Sequence, residues 1–153
     1  MKTGNVIGVL GGVAAILTAA VVVYQFLEDR SQIDLTGEWK LVNTVESTSY
    51  SPYHGMVLGY RIFLNQNGNK VTGNGEKWWE NREEIPSIYR TPISIEGKLK
   101  GLKLKANCIE KGARRTTTGS FVWNVSQDGK RLKGRFTSTA ADAKGTSIGV
   151  RVD

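Results

Sequence analysis

One histidine stands in the chain, His54, inside Ser51-Pro52-Tyr53-His54-Gly55. A nucleophilic triad needs a nucleophile, a base and an orienting group within hydrogen-bond reach. Ser49 and Ser51 flank His54, but there is no Gly-x-Ser-x-Gly elbow, and a lone loop histidine reads as surface. Metal sites need clustered His or Cys. Cys108 is the only cysteine, so neither a metal cluster nor an intrachain disulfide is expected. Glu83-Glu84, with Glu80 close by, reads as a solvated acidic stretch rather than an acid/base pair. P-loop and dinucleotide fingerprints are absent, and Gly73-x-Gly75 leads into charged residues on a strand rather than a helix. These residues point away from catalysis, cofactor and metal, and toward binding.

The binding candidates are aromatic and basic. Trp78 and Trp79 are adjacent, beside Lys77, Glu76, Glu80 and Arg82. Successive side chains of a strand point to opposite faces, so one of the two indoles must face outward or a rim. A stacking platform at such a rim, with Arg90, Arg114 and Arg115 supplied from neighbouring loops, would suit an anionic ligand. The alternative is that one Trp caps the core and the other rests at a membrane interface. Lys98, Lys100, Lys103 and Lys105 alternate around a hairpin. Such a row is a wet face, or a patch for anionic lipid or nucleic acid.

The elements that must position these residues have a period of two. Leu102, Leu104, Ala106 and Cys108 alternate with lysines and Asn107; Phe121, Trp123 and Val125 alternate with Val122 and Asn124. Leu132, Gly134 and Phe136 alternate with Lys133, Arg135 and Thr137, and Ile148, Val150 and Val152 with Ser147, Gly149 and Arg151. Each such segment is expected to bury its apolar face and wet the other. Asn67-Gly68-Asn69, Gly101 and Asp128-Gly129 cut the pattern where tight hairpin turns would form. The spacing predicts eight strands: Gly37–Val45, Tyr60–Gln66, Lys70–Trp78, Ile93–Leu99, Leu102–Ile109, Gly119–Ser126, Lys130–Thr139 and Thr146–Val152. Trp79–Ser87 is left as a helical turn or lid, limited by Pro86. Eight short strands joined mostly by hairpins make an up-and-down antiparallel barrel, closed by pairing the last strand with the first. Such a barrel is filled by side chains or holds one small ligand. Gly73, Gly75, Gly97 and Gly134 fall on the inward register. They leave space inside, or permit the sharp coiling a small barrel needs.

The first strand reads Leu35-Thr36-Gly37-Glu38-Trp39-Lys40-Leu41. A Gly-x-Trp at this place resembles the start of the calycin barrels, the lipocalins and avidins. The resemblance implies that Trp39 plugs the barrel floor and that Gly37 lets the chain enter the barrel end. It also implies a basic residue packed on the Trp, for which Arg135 and Arg151 are the candidates by cation–π contact. Phe121–Val125 and Leu132–Phe136 are similar in style to avidin-type strands. Gly37-x-Trp39 is the only motif matched; the rest is pattern.

Residues 3–27 carry no charge, and Val6–Leu27 is interrupted only by the polar Thr18 and Gln25. About 20 helical residues cross a hydrocarbon core about 30 Å thick. A cleaved signal peptide has a shorter apolar stretch and a small-residue cleavage site, whereas this run ends in Val21-Val22-Val23-Tyr24-Gln25-Phe26-Leu27. The expectation is a retained single-pass anchor over residues 1–30, preceding a β-barrel domain over residues 31–153. Gly4, Gly8 and Gly12 recur at a spacing of four, as do Gly11, Ala15 and Ala19. Small residues at that spacing let two membrane helices approach closely; Gly and Ala are also simply common in such helices. Lys2 and Arg30 offset Glu28 and Asp29, so all of the +7 net charge belongs to the barrel domain. Orientation is nearly a tie by the positive-inside rule, leaning slightly to the N-terminus inside and the barrel outside.

The layout resembles small effectors of bacterial antiphage systems in which membrane helices carry an avidin-like barrel that binds a cyclic oligonucleotide. This chain has one apolar run where those have two, and no nucleotide motif is matched. The resemblance implies a bacterial inner-membrane location, with the barrel in the cytosol. The reading is therefore a non-enzymatic, membrane-anchored barrel that binds a small anionic ligand, a cyclic nucleotide in its sharpest form, and couples binding to self-association of the helix. Its partners would be the lipid bilayer, the ligand and a second copy or another membrane helix, with no duplex nucleic acid, cofactor or metal. The alternative is an outward-facing envelope scaffold with a filled barrel.

Overall fold

The computed structural model describes residues 33–153. The expected membrane helix and its small-residue face (Gly4, Gly8, Gly11, Gly12, Ala15, Ala19) lie outside the described residues. The strands are β1 (Gly37–Ser47), β2 (Val57–Asn67), β3 (Lys70–Glu80), β4 (Glu83–Glu84), β5 (Thr91–Lys100), β6 (Lys103–Lys111), β7 (Thr116–Val125), β8 (Arg131–Ser138) and β9 (Ala143–Arg151). Every pairing is antiparallel. β1 pairs with both β2 and β9, and β2 with β3, so eight long strands close into a ring and the two-residue β4 pairs only with the end of β3. This is the closed all-β barrel that the period-two pattern and the turn signals predict, consistent with a calycin-like architecture.

The hairpin turns after β2, β5 and β7 share one end of the cylinder with residues 33–36. We call this end the floor; the longer connections after β1, β3, β6 and β8 form the mouth. The β2–β3 and β5–β6 turns have two central residues, with Gly68 and Gly101 first at φ of +62° and +59°, the arrangement of a type II′ hairpin. The segment expected to be a helical turn or lid is mostly a hairpin. Asn81 and Arg82 take φ of +48° and +74°, so β3 turns directly into β4, and a 3-10 turn at Ser87–Tyr89 follows. Asn81 holds this hairpin to β2, its N–H donating to the Val57 carbonyl (2.8 Å) and its Oδ1 accepting from the Val57 N–H (2.9 Å). The Asn signal lay in the sequence, but the Arg beside it hid the turn.

The interior is one apolar core in which Leu35, Trp39, Leu64, Val71, Leu104, Trp123 and Leu132 are fully buried. Inward alternation holds as expected on β7 and β8 and, on β6, at Leu104, Ala106 and Cys108, whereas Leu102 falls in the turn and is exposed. On β9 it is reversed: Ala143, Gly145, Ser147 and Gly149 face inward, while Ile148 and Val150 are each half exposed. The cause is volume. Trp123 lies stacked on Phe121 at 4.2 Å and donates its indole N–H to Ser147 Oγ (2.9 Å); a Cβ on Gly145 would press on the Thr44 carbonyl of β1 and come within 3.0 Å of the Phe136 ring, and one on Gly149 would meet Leu41 and Leu132. The close approach of β1, Leu132 and the rings of β7 and β8 fill the space that larger β9 side chains would need, so only small residues fit inward. Of the two readings left open for the inward glycines, close coiling prevails. A Cβ on Gly75, Gly97 or Gly134 would press on the backbone carbonyl of Arg61, Lys105 or Val122 respectively.

Candidate functional site

The two ends of the barrel differ in chemistry. At the floor, Trp39 is fully buried, and its indole N–H donates to the Leu35 carbonyl (2.9 Å). Gly37 enters at φ +145°, with the Arg151 guanidinium 3.2 Å from where its Cβ would be. Arg151 donates to the carbonyls of Asp34 (3.0 Å) and Thr36 (2.6 Å). Of the two arginines proposed for the floor, the structure puts Arg151 there. Arg135 lies on the outer face of β8 and pairs with Glu46 at 2.9 Å, so it does not pack at the floor.

At the mouth the filling stops, and a cavity of about 150 Å³ remains inside the barrel. Its apolar wall includes Val45, Leu58, Phe121 and Phe136. Its polar wall is drawn from strands all round the ring. Tyr60 on β2 donates its hydroxyl to Glu110 Oε1 on β6 (2.9 Å). Lys77 and Glu80 on β3 form an ion pair at 3.2 Å. Asn43 on β1 is 2% exposed, and its Oδ1 is buried without a hydrogen-bond partner. Arg115, from the β6–β7 connection, completes the lining beside Thr117. The mouth loops are tied to one another, the Ala141 carbonyl accepting from the Ser49 N–H (2.8 Å) and from Thr48 Oγ1 (2.9 Å). A recess of about 970 Å³ on the outer wall is larger. It exposes short polar side chains of β3, β5, β6 and β7 to solvent and buries no unpaired polar atom, so the interior cavity is the better candidate site.

Burial sets the electrostatics of this cavity. Desolvation, and then the nearby Glu110 carboxylate, push the Tyr60 phenol well above its ordinary value, which keeps it a neutral donor. The same two causes, in the same order, push the Cys108 thiol up to about 12. A thiol held protonated is a poor nucleophile. The cavity can therefore offer Asn43 Oδ1 as an acceptor, aromatic walls and two ion or hydrogen-bonded pairs that can reorganise. Its thiol, Cys108, is held protonated rather than activated.

The residues proposed as an anion platform do not gather here. Only Lys77 and Arg115 line the cavity. The β2–β3 register skips Trp78 between Gly59 and Tyr60, and this bulge turns both indoles outward. Trp78 lies under the Arg61 guanidinium at 3.8 Å, and Trp79 covers Gly59, with its Cβ 3.0 Å from where a Gly59 Cβ would be. Arg90 is already occupied, donating to Glu76 (2.7 Å), Glu84 (2.7 Å) and the Ile85 carbonyl (3.0 Å), so it clamps the β3–β4 hairpin. Arg114 is exposed on the β6–β7 connection. The acidic stretch read as solvated is split, with Glu80 turned into the cavity. Asn43, Tyr60, Cys108 and Glu110 were missed as a site. The available signal was a polar residue interrupting an inward series, Trp39-x-Leu41-x-Asn43-x-Val45. No family model and no curated protein matches the chain.

Proposed function

We propose that this protein is a non-enzymatic, membrane-anchored barrel that takes one small ligand at its open end and couples occupancy to association of its N-terminal segment. The observation that carries the reading is the unpartnered Asn43 Oδ1 inside a cavity of about 150 Å³. A buried acceptor left unpaired costs about 1–3 kcal/mol, which a ligand N–H or O–H would recover. Cavities of about this size admit one benzene-sized ring. The ligand is therefore a ring bearing a hydrogen-bond donor, with any anionic portion left at the rim near Arg115 and Arg114. A nucleobase carrying phosphate fits that description, which keeps a cyclic nucleotide the sharpest form of the proposal. The small-residue spacing of Gly4, Gly8 and Gly12, and of Gly11, Ala15 and Ala19, supports the coupling.

The full chain in detergent should melt higher in the presence of such a ligand. At a hundredfold excess over Kd the gain is about 2.7 kcal/mol, or roughly 10 °C for a domain of about 120 residues at about 4 °C per kcal/mol. No shift across a panel of nucleobases, nucleotides and cyclic nucleotides would overturn the reading. A topology reporter fused after Asp153 tests the nucleotide form separately, because those ligands are cytosolic. One observation favours the scaffold reading: Val42 and Ile148, 42% and 50% exposed, face each other across β1 and β9 on the outer wall beside Trp79. That reading expects a protein partner on this wall and no ligand shift.

A further inference from the structure

Residues 33–36 are fixed across the floor. The Leu35 N–H donates to Gln66 Oε1 (2.9 Å), Gln66 Nε2 donates to the Ile33 carbonyl (2.9 Å), and Arg151 holds the carbonyls of Asp34 and Thr36. Whatever precedes Ile33 therefore leaves from the floor end. The uncharged run ends at Leu27. At about 3.3–3.6 Å per extended residue, Leu27 and Ile33 lie no more than roughly 20 Å apart. Granted the proposed anchor, on which this inference rests, the floor stands within that distance of the lipid.

The floor has one turn suited to meet it. The β5–β6 hairpin carries Leu102 at its tip, 40% exposed, between Lys100 and Lys103. Among the described residues, Lys98, Lys100, Lys103 and Lys105 on its two strands are exposed and form no ion pair, nor does Arg131 on β8. The neighbouring floor bases are already engaged, Lys70 with Glu96 (2.9 Å) and Lys130 with Asp153 (3.1 Å). Asp34, Asp128 and Glu38 are the other acids at this end, and none of them pairs with the hairpin lysines. The β2–β3 and β7–β8 turns have no large apolar residue at their tips. An apolar tip flanked by unpaired lysines matches the layering of a bilayer surface, with acyl chains beneath anionic headgroups. Bases near such a surface add roughly 1 kcal/mol each.

We propose that the β5–β6 hairpin is a second membrane contact. Lys98, Lys100 and Lys103 engage anionic lipid headgroups while Leu102 enters the headgroup layer. This fixes the barrel upright, with the mouth and its cavity turned away from the bilayer.

The test uses the full chain carrying Leu102→Cys, labelled with an environment-sensitive fluorophore. Cys108 is buried, and wild type treated alike controls for its labelling. The protein is reconstituted in vesicles of phosphatidylcholine alone, or with phosphatidylglycerol added, each doped with a nitroxide-headgroup lipid. The expected result is several-fold stronger quenching with phosphatidylglycerol, loss of that difference in high salt, and its loss when Lys98, Lys100 and Lys103 are changed to Gln. A label at Thr116→Cys, at the mouth, should stay unquenched in both. Equal quenching in both lipids would overturn the proposal, because tethering alone would explain it. So would cross-linking between two copies through position 102, which would put a second chain on the hairpin. Absence of quenching in chains that resist alkaline extraction overturns the docking alone, whereas release by alkaline extraction overturns the anchor and the docking together.

Discussion

The floor and the mouth are built by the same eight strands, yet they solve opposite problems. Inside the floor the large core side chains are buried and the indole N–H groups of Trp39 and Trp123 are bonded, to the Leu35 carbonyl and to Ser147 Oγ. At the mouth the core gives way to a cavity with an orphan acceptor, a tyrosine bonded to a carboxylate and a half-buried ion pair. Complete packing with satisfied polar groups is what a fold needs to be stable. Incomplete packing with an unsatisfied group is what a site needs to gain by binding. The barrel places the first at the end where the chain enters and the second at the end farthest from that entry.

The largest effect should come from breaking the floor. Trp39→Ala removes a fully buried indole from a packed end, and such truncations cost about 3–5 kcal/mol. Denaturant unfolding should show an unfolding free energy lowered by that amount. Next, Arg151→Ala releases the two carbonyls that it holds at Asp34 and Thr36. Hydrogen bonds to charged groups contribute about 1.5–3 kcal/mol, and hydrogen exchange should show residues 33–36 losing protection before the barrel opens. A loss confined to global stability, with 33–36 still protected, would mean that Gln66 alone ties the chain to the floor.

Alkali should find the mouth instead. Cys108 titrates at about 12 when folded, against 9.0 for the free thiol, and Tyr60 is likewise raised above 10.0. Both groups are neutral when protonated. Below pH 9 the folded and unfolded chains bind the same protons there, and these two groups give stability no slope. Above pH 9, and then above 10, the unfolded chain loses protons that the folded chain keeps, so stability falls as pH rises. Melting temperatures should be flat from pH 7 to about 8.5 and then decline, and Cys108→Ala should remove the part of the decline that begins near pH 9. A slope unchanged in that variant would assign the alkaline loss to other groups.

A smaller effect, of opposite sign, is expected at Asn43. Asn43→Leu replaces the orphan acceptor with an apolar side chain of similar size. The melting temperature should hold or rise, with at most about 1–3 kcal/mol recovered, while any ligand-induced shift disappears. A destabilised variant would mean that Asn43 is bonded in the resting protein, and the mouth would then resemble the floor.

How far the sequence reveals these two ends follows from the same physics. The floor is local in sequence: Gly37-x-Trp39, the Asn-Gly and Asp-Gly turns and the alternation of β6 to β8 each state their place within a few residues. The mouth is assembled from side chains whose neighbours are fixed only on closure, such as Tyr60 with Glu110. Hydropathy alone turned β9 the wrong way, because Ile148 and Val150 outweigh Gly and Ser in any count, whereas the approach of β1 and the bulk on β7 and β8 decide which face fits inside. Trp78 and Trp79 were readable as a pair, but not the bulge that turns both outward. Arg90 was readable as a cation, but not its engagement with Glu76 and Glu84.

The smallest expected effect separates two residues that the calycin resemblance left equivalent. Arg135 and Arg151 both stand on late strands, and in sequence either one could be the base that packs over the floor. Arg135 reaches only Glu46, with both side chains well exposed at 64% and 44%. Exposed pairs of this kind contribute about 0–1 kcal/mol and are screened by salt. Arg135→Ala should therefore shift the unfolding midpoint barely, and the shift should vanish at high salt. The cost of Arg151→Ala should persist there, because its acceptors are carbonyls of a packed segment rather than a solvated carboxylate. Equal and equally salt-sensitive losses would make both arginines surface charges, leaving Trp39 and Leu35 to close the floor without help from a cation.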